Sequence, residues 1–576
     1  MSLPGEAPAS SRWDRLLPWL GAALGFLWYL AIGGARTLAP THLDWVGGGD
    51  FAQHVLGWLH FRNAPWGFPL GNTPTLMYPL TMTVGFTDSN PWVAVALKPF
   101  SRWLPQDFQY IGPWLALCFA LQGWVGVKLV ALYLHGALQR LLGATLFVMS
   151  PVLLFRTGHD TLCAHWLLLA MLWVHLRPRP DSRAAWKALG GALALNAIAA
   201  GVHPYLQVMV FALTVSLLFT VTRVEHHLSW RSAGVALAGM LATVGALFFL
   251  FGYVGQGISA GGSGFSYFSA DMLTLVNPNG WSLLLPGFPT RTGQYEGFGY
   301  LGTGVIALIA LLLLSNPAHW WQKAKAGLKP RKSLVFSVLA LTLLAFSSVM
   351  TVAGETVLSL RSVTKPLLPL LDPFRSSGRF IWPLHYVLMT GVIALIAWRW
   401  RQYPRLLTGL LLGAVLLQGL DTPDAWDRSR FGGGEWPRLR APEWDRLDPF
   451  YRHIVLYPPA IFGADAPCDT QTFPENAYLR FGYLAYLRGM TTNSVYPARL
   501  DRPRILAACQ ALRDELQQGR FAEDTLYVVG KKDLAVFQRP GITCGVLDEY
   551  TLCVAAKQGS FQEALSRATQ VPTAQP

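Results

Sequence analysis

The chain of 576 residues is 52% hydrophobic and only 14% charged, with 46 Lys and Arg against 32 Asp and Glu. Soluble domains average about 25% charge, so these totals exclude a water-soluble globule of this size, and equally a disordered, collagen-like, coiled-coil or small disulfide-stapled chain. What remains is a polytopic membrane protein with a soluble appendage, in which the position of the net +14 decides between nucleic acid, anionic lipid and topology.

In chain order, eleven apolar runs have the length of membrane helices: roughly 16–34, 109–132, 138–155, 161–177, 187–202, 204–222, 233–254, 299–315, 334–352, 380–397 and 405–420. No small-residue cleavage pattern follows the first, which therefore reads as a span and not a signal peptide. Trp92 to Leu104, interrupted by Lys98 and bounded by Pro91 and Pro105, reads as an interfacial or re-entrant segment. With the N-terminus inside, six short inside segments from Arg12 to Arg405 hold 17 basic residues against Glu6, Asp14, Asp181 and Glu225, whereas the much longer outside segments hold 10. This follows the positive-inside rule. The excess charge is thus a topology signal, and no nucleic-acid partner is expected.

The expected architecture is an all-α polytopic membrane bundle of about eleven spans, N-in and C-out, over residues 1–420. A C-terminal α/β periplasmic domain is expected over 421–576. There, short β-like runs (Ile454–Tyr457, Leu526–Val529, Leu534–Phe537, Thr551–Ala555) alternate with helical stretches (Ala477–Leu487, Pro503–Gln518). Its four cysteines, Cys468, Cys509, Cys544 and Cys553, read as two disulfides in an oxidising compartment. Spacing permits three pairings, of which Cys544–Cys553 would close a hairpin and leave Cys468–Cys509.

Three outside loops, 35–108, 255–300 and 351–379, exceed ordinary connections and concentrate the candidate chemistry. In the first, a helical pattern from Gly49 to Phe61 follows a Gly-Gly-Gly turn. Asp50 lies in its first turn, where the helix dipole favours the anion, with His54 and Trp58 following at four-residue steps on the same face. Asp50 could equally be a simple cap. Between the third and fourth runs, Arg156-Thr-Gly-His159-Asp160-Thr-Leu-Cys-Ala-His165 gathers ionisable groups at the mouth of two membrane helices, a costly placement that suggests function. His159, Asp160 and His165, with Asp50, could hold a divalent metal, and no other cofactor is expected. In the second loop, Tyr295-Glu296-Gly-Phe-Gly-Tyr300 suits stacking on a sugar ring or an interfacial aromatic belt, and residues 255–264 are glycine-rich. The third loop ends in Phe374-Arg375-Ser-Ser-Gly-Arg379-Phe, where two arginines and backbone N–H groups before a span could seat a phosphate or anchor to lipid.

This layout, with the GDFAQHVLGWLHFR and FRSSGRF stretches, resembles a bacterial branch of the GT-C superfamily of polytopic glycosyltransferases. The resemblance covers about 420 residues as architecture and short motifs. It implies an inverting transfer of a sugar from a polyprenyl-phosphate donor to a hydroxyl of a cell-envelope glycan or lipid acceptor, on the outer face of the bacterial cytoplasmic (inner) membrane. Asp50 would be the first-loop acid and base, and Asp160 the second acid. His54 would join them as a catalytic residue that orients the acceptor or tunes the base, His159, His165, Glu296 and Trp58 would line the substrates, and Arg375 and Arg379 would hold the phosphate. The paired Asp-x-Asp or Glu-x-Asp of some members is absent around Asp50. A lipid-linked glycan flippase would also be polytopic, but should carry mid-span charges and repeats. An envelope assembly factor would need no convergent polar site.

Overall fold

The apolar runs become helices wherever proline and glycine punctuation allows. The computed structural model describes residues 12–254, 264–315, 317–432, 434–461, 468, 472–474, 476–499, 501–555 and 559–568. The glycine-rich stretch of the second loop, Glu6 and the Asp372 side chain lie outside the described residues. The chain is mostly helical, with one small sheet in its C-terminal part. Each of the eleven runs contains a helix. Among the described residues, five are long and apolar enough to cross a membrane: Ile111–Val130, Ala137–Gly158, Pro204–Val224, Trp230–Leu250 and Ser377–Arg399. Asp160–Leu176 and Thr303–Leu314 are apolar but shorter. Helices Arg12–Ala31, Ser182–Ala200, Lys332–Phe346 and Pro404–Asp421 occupy the remaining runs.

Contacts divide the chain into two units. The first comprises Met1–Pro40, Tyr110–Gly245 and Gly261–Gly432. Within it, Arg12–Ala31 packs along Ile111–Val130, with Gly21 and Gly25 against the backbone at Gly123 and Phe119, where a Cβ would clash. Such small-residue seams let helices associate in lipid, where burial of apolar surface offers no advantage. Trp230–Leu250 turns large apolar groups outward, Val235 being 71% and Leu241 53% exposed, as a lipid-facing helix would.

The second unit joins Thr41–Gln109 and Ala246–Ala260 to Gly433–Pro576. Its sheet has the strand order Thr491–Thr492, His453–Tyr457, Thr525–Val529, Tyr550–Val554, Thr543–Leu547; the first three run parallel and the last two close an antiparallel hairpin. Leu534–Phe537, expected as a strand, instead falls in a 3-10 turn over Lys531–Val536 and its C-cap. The turn carries Leu534 and Phe537 into the apolar layer under the sheet beside Tyr457 and Tyr527, so its apolar content reflects burial and not pairing. Both disulfides form, Cys468–Cys509 and Cys544–Cys553, with Cα separations of 6.5 and 4.2 Å. The second links directly opposed residues of the terminal hairpin.

The first loop is built into this unit. Helix Gly49–Asn63 is buried from Phe51 to Arg62. His60 Nε2 donates to Gly482 O and Nδ1 accepts from the Thr75 hydroxyl, each at 2.8 Å. Burial pushes this imidazole down to about 4, so it is neutral at physiological pH. Arg62 donates to four carbonyls, those of Ser101, Leu104, Pro105 and Gln106, at 2.7–3.1 Å. Thr492 N donates to Thr75 O and Tyr78 N to Thr492 O, which extends the sheet edge into the loop. Trp92 to Leu104 forms a short helix Pro91–Leu97 and a 3-10 segment Lys98–Trp103. Phe100 and Trp103 are exposed on it, as an interfacial segment requires.

Candidate functional site

The 3-10 turn Ser377–Ile381 begins the span Ser377–Arg399 and is fixed from both sides. Ser376 N donates to the Tyr205 hydroxyl at 2.7 Å, and Gly378 N donates to Phe268 O at 2.8 Å. This aims Arg379 at Glu296: Nε and Nη2 reach the two carboxylate oxygens at 2.9 and 2.8 Å, in a fork. Arg156 closes the other side, its Nη2 lying 2.8 Å from both Glu296 Oε2 and the Glu296 carbonyl. All three side chains are buried, at 7–10% exposure. Burial pushes the Glu296 carboxyl up, but the two guanidiniums outweigh it and hold it well below the usual range. The cluster carries a net positive charge.

Around this triad the same unit assembles further polar groups. The Arg379 guanidinium lies 4.9 Å from the Tyr205 ring centre, and His203 packs on Tyr205 and, at 5.5 Å between ring centres, on His159. Asp160 is fully buried, and its carbonyl accepts from Trp114 Nε1 at 3.0 Å. His165 Nδ1 meets the Tyr386 hydroxyl at 2.8 Å, with the ring against Trp382. Arg375 is partly buried over the Phe268 ring. Among the described residues, Arg156 Nε, Arg375 Nε and Ser377 Oγ are buried without a hydrogen-bond partner in the protein. His159 and His203 supply two of the donors a divalent cation would need.

In the second unit, Asp50 stands exposed in the first turn of helix Gly49–Asn63. The row it heads turns inward at once, since His54 and Trp58 are each 1% exposed. Ser89 Oγ donates to His54 O at 2.7 Å, and Trp58 Nε1 donates to Phe108 O at 2.9 Å. Asp50 is therefore an accessible carboxylate on a rigid support.

The domain of unknown function DUF6311 matches residues 22–423, and the DUF6311 C-terminal domain matches 443–555. The chain belongs to the DUF6311 family. No curated relative matches it.

Within this DUF6311 chain the structure brings together His159, Asp160, Glu296 and Arg379 with groups that sequence reading passed over: Arg156 as an ion-pair partner, His203 and Tyr205. His203 carried a local signal, an imidazole immediately before Pro204 at a helix start, where its Nδ1 accepts from Tyr205 N. Arg156 stood in the quoted motif, but its partner is 140 residues away. Glu296, expected beside a sugar ring, is engaged by the arginines, and Trp58 serves as a donor to the backbone.

Proposed function

We propose that this protein transfers a sugar from a polyprenyl-phosphate donor to an acceptor hydroxyl, with inversion, in the manner of the GT-C enzymes it resembles. The observation that carries the reading is the set of buried donors at Arg375, Ser377 and Arg156 left without protein partners among the described residues, beside a triad of net positive charge. Unmade buried donors cost free energy, and a phosphate oxygen would satisfy them with charge-assisted bonds. In this reading Glu296 holds Arg379 rigid and charged, while Arg375 and Ser377 meet the phosphate. The acceptor oxygen forms the new bond to the anomeric carbon as the bond to the donor phosphate oxygen breaks. The electron pair leaves with the polyprenyl phosphate, and the hydroxyl proton passes to a carboxylate, Asp50 in the assignment the resemblance implies. In the same assignment His54 tunes that base, and Asp160, His159 and His165 orient the acceptor. The same reading gives the chain eleven crossings of a bacterial inner membrane, with the N-terminus inside and the C-terminal domain in the periplasm.

The test is release of polyprenyl phosphate in proteoliposomes from donors carrying a radiolabelled hexose or pentose. Asp50→Asn should lower turnover by about 10²–10⁴-fold while leaving the size-exclusion profile unchanged. Near-wild-type turnover in that variant, with loss in Asp160→Asn, would move the base to Asp160. No release from any donor by the wild-type protein would sink the reading.

A further inference from the structure

The second unit contains a cavity of about 300 Å³, at the small end of ligand sites. Its wall includes Trp436, Arg438, Arg440, Asn476, Arg480 and Asp548. Asp548 is committed to the fold, since its Oδ2 accepts from the Arg440 and Ala441 amides and from Trp444 Nε1 at 2.7–3.0 Å. Arg440 forks onto Glu435 at 2.7 and 2.8 Å. Arg438 and Arg480 each reach a carboxylate through one long contact, to Asp107 at 3.2 Å and Glu549 at 3.1 Å. Arg438 and Glu549 are 54% and 64% exposed, and exposed pairs of this kind are weak and screened. Both guanidiniums therefore keep donors for a stronger anionic partner.

Three groups in the wall carry buried polar atoms without a hydrogen-bond partner among the described residues: the donors Trp436 Nε1 and Arg480 Nε, and the acceptor Asn476 Oδ1. Trp436 is itself fully buried. Buried polar groups are ordinarily paired, so a ligand that completes this wall must offer acceptors to the arginines and the indole, and a donor to the amide oxygen. Sulfate offers acceptors alone, and a lipid chain offers neither. A hydroxylated carboxylate offers both.

We propose that this cavity binds a uronate-type sugar, its carboxylate held by Arg438 and Arg480 and its hydroxyls by Asn476 and Trp436. The site lies within one unit, and its occupancy is read without turnover, so it stands or falls apart from the glycosyl-transfer reading.

The experiment titrates sodium D-glucuronate into the full-length protein in phosphatidylcholine nanodiscs, followed by saturation-transfer NMR, with D-glucose and sulfate as comparisons. Saturable glucuronate binding is expected, with glucose at least about tenfold weaker, the scale of one lost charge-assisted contact. Arg438→Gln, at a position 54% exposed, and Asn476→Ala should each weaken glucuronate by about tenfold. Absence of saturable glucuronate binding, or binding indifferent to both substitutions, overturns the proposal. Sulfate binding as tight as glucuronate overturns it too, by reducing the cavity to a bare anion seat.

Discussion

At the scale of single residues, Glu296 shows how charge is kept inside a protein that is otherwise so apolar. One carboxylate between two guanidiniums at 2.8–2.9 Å offsets the desolvation of all three, but only while each is present. Removing one member of a buried ion cluster leaves an uncompensated charge, which typically costs about 3–5 kcal/mol. Glu296→Gln keeps the shape and deletes the charge, so Arg156 and Arg379 would repel each other across a neutral amide. We expect a markedly lower thermal midpoint for the detergent-solubilised variant, partly recovered in the double variant Glu296→Gln/Arg379→Gln. The sign of the pH effect follows from the depressed carboxyl. Its stabilisation is fully present above the ordinary value of 4.5 and is lost only as pH falls toward the depressed one. The difference between wild type and Glu296→Gln should therefore stay constant from pH 6 to 8 and shrink under strong acid. A difference that varied across neutral pH would contradict this account.

At the scale of elements, the two disulfides make a graded comparison because they close loops of different length in the same unit. Cys468–Cys509 spans 41 residues and Cys544–Cys553 spans 9. Loop-closure entropy assigns them roughly 4 and 2.5 kcal/mol. Replacing Cys468 by Ser should therefore lower the hydrogen-exchange protection of the central strand Thr525–Val529 more than replacing Cys544 does, and an inverted order would show that local strand pairing outweighs chain entropy. The Cys544–Cys553 hairpin was one of three pairings that spacing left open, whereas helix Gly49–Asn63 was readable, because its glycine turn, first-turn acid and periodicity are local. The incorporation of that helix into the second unit was not readable. It depends on contacts such as His60 to Gly482, separated by 422 positions, and no local pattern encodes such partners. The same distinction divides the candidate site. Asp160 and Arg379 stand in short motifs that attract notice, whereas the Arg156–Glu296 pair exists only once distant segments meet.

At the scale of the whole molecule, the proposed topology is supported by two independent physical arguments. The first is electrostatic. The short segments from Arg12 to Arg405 hold 17 of the 28 basic residues that precede Asp421, and basic loops of this length are retained in the cytoplasm. The second is redox chemistry. Both disulfides lie in the C-terminal part of the chain, and stable disulfides belong to oxidising compartments outside the bacterial cytoplasm. In the orientation proposed above, Lys325 lies inside and Arg361 outside. Both positions are exposed, and the native cysteines outside the disulfides, Cys118 and Cys163, are buried, so single engineered cysteines can be read cleanly. Arg361→Cys should react with a membrane-impermeant maleimide on intact spheroplasts. Lys325→Cys should react only after permeabilisation. The reverse pattern would overturn the orientation and, with it, any chemistry assigned to the periplasmic face. Labelling of both sites from outside would show that the segment between them does not cross the bilayer, because residues 334–352 are the apolar run that separates the two positions.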